Sequence, residues 1–195
     1  MKKTILILMV SVCSLSMYSQ ILNSGKKEKY VNRKLTIEPA IGTRMQTILG
    51  STDIQLTNLL QYNITRKLSF VSHTVISTDI KNGNFNNVDT NYSYSLLQKF
   101  GIGTSFYSQK ASSSFFILGG IKYNAYSGTL NNPIIEEHIT TKTKGLVPDY
   151  GIMYNYKRGI KKYFFSARLY CPMYDGVAGI LENATIEFGI GIKLK

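Results

Sequence analysis

The sequence predicts an all-β chain that closes as an eight-stranded antiparallel up-and-down transmembrane β-barrel. Three observations predict it. There are eight segments of strand character and no convincing amphipathic helix, most segments run ten residues or longer, and the connections alternate between short and long. A tilted strand needs about 9–11 residues to cross a bilayer, whereas strands of globular proteins are commonly about 5–6 residues long. The lengths therefore favour a membrane.

The segments are 34–43, 53–63, 67–78, 92–108, 113–126, 146–156, 163–174 and 184–195. In the first, Leu35, Ile37, Pro39 and Ile41 share a face opposite Thr36, Glu38, Ala40 and Gly42. The second sets Ile54, Leu56, Leu60 and Tyr62 against Gln55, Thr57, Gln61 and Asn63. The seventh sets Phe165, Ala167, Leu169, Cys171 and Met173 against Ser166, Arg168 and Tyr170. The eighth is the cleanest, with Ile186, Phe188, Ile190, Ile192 and Leu194 against Thr185, Glu187, Gly189, Gly191 and Lys193. Successive side chains of a strand point to opposite faces, so each of these strands has one apolar and one polar face. Segments three to five alternate less cleanly.

Links after segments two, four and six are short (64–66, 109–112 and 157–162). Those after one, three, five and seven are longer and rich in Asn, Gly, Asp and Thr, as in 81–91 and 128–145. Short turns on the periplasmic side and long loops outside are the habit of bacterial outer-membrane barrels. An even number of strands puts both ends of the barrel with the short turns.

Residues 1–20 read as a signal peptide, with Lys2 and Lys3 before an apolar stretch from Thr4 to Met17 and a polar exit at Tyr18-Ser19-Gln20. A basic leader follows over 21–33, and the barrel domain occupies 34–195. Cys13 lies in the signal, which leaves Cys171 as the mature chain's single cysteine and excludes an internal disulfide. An exported chain without disulfides needs another constraint, and a closed barrel in lipid supplies one.

With these segments laid out, the chain resembles the small eight-stranded outer-membrane barrel proteins of the OmpA/OmpX type. The resemblance is architectural and spans most of 34–195. The closing run from Ile186 to Lys195 looks like the last strand of such proteins, which their assembly machinery recognises. The resemblance implies the outer membrane of a Gram-negative envelope as location and the lipid bilayer as partner. Trp is absent, so an interfacial aromatic girdle has to come from Tyr, at positions such as Tyr92, Tyr94, Tyr107, Tyr126, Tyr154 and Tyr163.

The formal charge is +12, or +10 once Lys2 and Lys3 are removed. Export argues against nucleic acid as the partner of this charge. Charged residues make up 17% of the chain, against about 25% in soluble domains. Neither Gly101-Ile102-Gly103 nor Gly189-Ile190-Gly191 continues to a third glycine or opens a helix, so they fit better as space for large side chains across a narrow lumen. His73 and His138 form no metal or catalytic set, and no cofactor or metal is expected.

Charges on the inner faces are more informative. Glu38, Lys99, Arg168 and Glu187 are candidates for ion pairs in the lumen, with Lys122 less well placed. Eight strands leave no water channel, and buried ions need partners. A plug of salt bridges is therefore favoured over an ion-conducting path. Charge is also polarised along the barrel. Lys157, Arg158, Lys161, Lys162 and Lys193 join the basic leader on the turn side, while Asp53, Asp79, Asp149 and Glu182 lie with the loops. A basic collar suits anionic headgroups or an acidic periplasmic partner.

The expected function is a structural, adhesive or surface-interaction role, non-enzymatic, in a monomeric or weakly associating barrel. One rival is a soluble lipocalin-like barrel holding an apolar ligand, whose water-facing surface should carry many Lys and Glu. Another is a lipid-modifying enzyme of the outer membrane, which should bring Ser and His together near the interface. The first expected outcome concerns export. N-terminal sequencing of envelope-extracted protein should read from residue 20 or 21, and a retained Met1 would remove the export argument.

Overall fold

The computed structural model describes residues 34–44, 52–80, 88–108, 110–132, 137–159, 162–173 and 183–194. The expected signal (1–20) and leader (21–33) lie outside them. The strands are β1 (Leu35–Arg44), β2 (Thr52–Asn63), β3 (Leu68–Ile80), β4 (Val88–Tyr107), β5 (Ala111–Asn132), β6 (Glu137–Arg158), β7 (Tyr163–Pro172) and β8 (Thr185–Leu194). Each pairs antiparallel with the next, and β1 pairs with β8, so the sheet closes on itself as an eight-stranded barrel. The first and last strands meet through Leu35↔Leu194, Ile37↔Ile192 and Ile41↔Phe188. That ladder omits Glu38 and Pro39, where proline has no N–H to donate.

Polarity follows the pleat, inside out relative to a soluble barrel. Ile41, Leu56, Ile76, Ile102, Ile117, Ile152, Phe165 and Phe188, drawn from all eight strands, stand exposed on the outer wall. Glu38, Gln55, Ser69, His73, Lys99, Ser114, Asn155, Arg168 and Glu187 are buried inside. A largely apolar exterior over a polar interior is stable only where hydrocarbon replaces water outside. The chain is a transmembrane β-barrel.

Glycines on the inner wall pair with bulk. Gly191 is registered against Phe164, and a Cβ there would collide with that ring. Gly159 turns the chain between β6 and β7 at φ +152°, a conformation that favours glycine. The aromatic positions divide by parity. Tyr92, Tyr94 and Tyr163 are exposed, whereas Tyr126 lines a cavity at the loop-side mouth with Lys122 and Asn124.

Beyond the loop-side rim the strands are uneven. β3 and β4 stop pairing at Thr78↔Tyr94, yet β4 and β5 stay paired to Val88↔Leu130 and β5 and β6 to Asn132↔Glu137. The stretch 128–145, expected as a long loop, is thus mostly strand, and β5 joins β6 through 133–136. Past residue 125, β5 carries about 20 Å of extra strand at ~3.3 Å per residue. On the far side β6 meets β7 only from Gly151↔Pro172. The result is a three-stranded blade that rises from the mouth, with one edge of β6 unpaired among the described residues.

A closed ladder resists detergent until heated. The extracted protein should therefore run faster on a gel unboiled than boiled, and it should need detergent to leave the membrane fraction. A single band insensitive to boiling would contradict closure.

Candidate functional site

The lumen concentrates the chain's buried ionisable groups, arranged in three tiers along the axis. Nearest the turns, Lys157 of β6 reaches Glu38 of β1 in a close ion pair. Its ammonium also donates to Gln61 Oε1 and, at 3.4 Å, to Thr36 Oγ1. The second carboxylate oxygen of Glu38 accepts from Asn155 Nδ2 at 3.0 Å, and Thr36 Oγ1 donates to the first at 3.0 Å. Gln61 hands the chain on to Asn63 and Ser69 at 2.8 and 2.9 Å. Lys193 closes the tier by donating to the Gly159 carbonyl at 2.9 Å.

In the middle tier, Arg168 of β7 faces Glu187 of β8 from the registered position across the ladder. Arg168 Nε lies 3.0 Å from Glu187 Oε2, and the two side chains are fully buried. The contact has ion-pair distance without hydrogen-bond alignment, and Arg168 Nη1 has no hydrogen-bond partner among the described residues. Arg168 Nη2 donates to Thr57 Oγ1 at 3.1 Å and to the Glu38 carbonyl at 3.2 Å. Thr57 donates in turn to Glu187 Oε2 at 2.8 Å. His73 Nε2 stands 3.2 Å from the other oxygen of Glu187.

The upper tier joins Lys99 of β4 to Asp149 of β6 at 3.7 Å. The Lys99 ammonium sits 3.1 Å from the centroid of the Tyr170 ring, and Tyr170 donates its hydroxyl to Asp149. Closer to the mouth, Arg44 holds Asp53 at 3.0 Å, and Gln55 donates to the same carboxylate at 2.9 Å. Lys122 lines the small cavity beside Lys99 and Asp149.

Arg168 and Glu187 are thus brought together, while Glu38 meets Arg168 only through its main chain. Its carboxylate belongs to Lys157, which the sequence reading left in a turn. Lys99 takes Asp149, which that reading left among the loop acids. Both partners are strand residues whose parity points inward. Asp149 already has inner-face parity within segment six, and carrying that alternation one residue past its end would have found Lys157. An apolar cluster of Leu59, Val71, Phe116, Leu118, Met153 and Tyr170 also fills part of the lumen. It was masked by the expectation of a uniformly polar inner face.

No family model and no curated protein matches the chain. Among solved structures it is similar to Ail, the attachment invasion locus protein of Yersinia pestis, in two crystal structures. One holds the heparin analogue sucrose octasulfate and has a TM-score of 0.44, and the other has a TM-score of 0.41. Each comparison covers 81% of this chain and 95% of that one at 11% identity.

Removing one member of a buried ion pair strands the other, at a cost of about 3–5 kcal/mol. Arg168→Met should lower the urea midpoint of the folded barrel accordingly, and adding Glu187→Gln should return part of the loss. Equal midpoints for Arg168→Met and the unaltered protein would show that the pair contributes nothing to the fold.

Proposed function

We propose that this chain is exported to the outer membrane as a barrel with a structural, adhesive or surface-interaction role, non-enzymatic, its lumen closed by paired side chains. The observation that carries the reading is the inverted polarity of the wall, apolar outside and ionic inside. The same inversion speaks against a lipocalin-like carrier, whose apolar face would line the lumen. His73 lies deep in the lumen against Glu187, away from either membrane interface, which speaks against a lipid-modifying site.

Closure is supported by the burial of Glu38, Lys99, Arg168 and Glu187, none more than 2% exposed. Between the middle tier and the mouth the lumen holds a cavity of about 30 Å³, room for one or two water molecules. A surface role is supported by the blade. Every side chain from Ile139 to Pro148 is exposed, and Thr, Lys and Gly dominate the stretch. Such a surface suits contact with partners in water better than contact with lipid.

Orientation is testable on intact cells in a Cys171→Ser background. A membrane-impermeant maleimide should label Thr143→Cys in the blade but reach Arg66→Cys in the β2–β3 turn only after the envelope is opened. Labelling of Arg66→Cys alone on intact cells would invert the proposed topology.

A further inference from the structure

The outer wall carries one interruption that the proposed function leaves unused. At the middle of the belt, Asn58, Thr74 and Gln98 stand side by side on β2, β3 and β4, registered as Asn58↔Thr74 and Thr74↔Gln98. On β2 the outward positions run Ile54, Leu56, Asn58, Leu60, Tyr62, so the amide is as far from either end as the strand permits. Leu56, Ile76 and Leu96 border the row on the loop side, and Leu60 and Phe100 border it on the turn side, all exposed. Phe70 and Phe100 stack below it with centroids 6.1 Å apart.

The row is only partly satisfied by itself. Thr74 donates to Gln98 Oε1 at 2.6 Å, and Gln98 Nε2 donates to Ser72 Oγ at 2.8 Å. Asn58 differs. Its Oδ1 is turned into the wall without a hydrogen-bond partner among the described residues, so a docked partner reaches it only once the amide turns over. Hydrocarbon at this depth offers neither donor nor acceptor, so an amide held there is unfavourable unless something polar covers it.

We infer that the mid-height face of β2, β3 and β4 is where a second copy of this chain docks in the plane of the membrane. The occupant follows from the chemistry. Asn and Gln amides each donate and accept, and a half-turn about the terminal torsion presents either group outward. A row of them without charge is complementary to itself, which is what a two-fold contact between identical surfaces requires. The Leu, Ile and Phe border keeps lipid and water away from the central bonds, as the rim of an interface does. A purely apolar partner would leave Asn58 unbonded, and a charged one would have to bring its charge to the middle of the hydrocarbon.

The proposal rests on the membrane reading, and the heat-modifiable gel band checks that reading separately. The test uses the mature Cys171→Ser chain folded into phosphatidylethanolamine–phosphatidylglycerol vesicles at a low protein-to-lipid ratio. Asn58→Cys should cross-link to itself about tenfold more than Ala167→Cys, which faces lipid on the opposite wall. With Thr143→Cys carrying donor or acceptor dyes, energy transfer between copies should exceed random mixing. Asn58→Leu together with Gln98→Leu should weaken that association about tenfold while the unboiled band persists. Equal cross-linking at the two positions, or transfer unchanged by the double leucine variant, would overturn the proposal. So would cross-linking of Asn58→Cys to a different envelope protein in cells with none in vesicles.

Discussion

In hydrocarbon, every backbone N–H and C=O must find its partner within the protein, and β1 meets that demand by pairing with β8. Without this seam, two strand edges would face lipid unbonded. With it, eight strands enclose a tube too narrow for a channel. The remaining features follow from that width. The interior must be filled by side chains, so glycines face rings, as Gly191 faces Phe164. Where the seam is weakest, at Pro39, the neighbouring Glu38 carbonyl accepts a hydrogen bond from Arg168 across the lumen. The inner network thus reinforces the one ladder on which closure depends.

Filling a tube with charged groups works only if each finds an opposite charge or a dipole. The three tiers each tie together different strands of the wall: Lys157 with Glu38, Arg168 with Glu187, Lys99 with Asp149. Each pair spans the lumen or crosses the ladder, so the ionic contacts act as struts between walls already joined at their edges. A strut of this kind adds less to net stability than its Coulomb attraction implies, because both ions lose their hydration. It does penalise any register slip, since a one-residue shift would turn a charged side chain into lipid. The network therefore bears more on which barrel forms than on how stable that barrel is.

The sequence made strand number and facing legible because lipid enforces strict alternation. Residues 53–63 and 184–195 show it plainly. Alternation fails as a guide where that enforcement stops. Above the rim both faces of β6 are exposed from Ile139 to Pro148, so the stretch within 128–145 lost its apolar period and looked like loop. Lys157 and Asp149 were misread for a related reason. Lys157 lies one residue past the apolar segment and Asp149 near its loop-side end, yet both side chains point inward and remain buried. Which acid Lys157 and Lys99 would meet was not legible either, since parity places a side chain inside the tube but does not fix how far a flexible lysine stem reaches.

The blade adds a constraint of its own. From 137 to 149 the β6 edge has no strand beside it among the described residues, and an open edge in water is a template for sheet-to-sheet polymerisation. The local sequence opposes this with the devices natural edges use. Lys142 and Lys144 place charge on alternate residues, and Pro148 withholds a donor. The apolar residues Leu146 and Val147 lie between that lysine pair and the proline. Charge on the outer part of the edge and proline near its base leave the side chains accessible while limiting backbone pairing. A surface so arranged favours recognition through side chains over unrestricted strand addition. It also keeps the water-exposed edge distinct from the polar row at mid-membrane, where amides without charge stand in lipid.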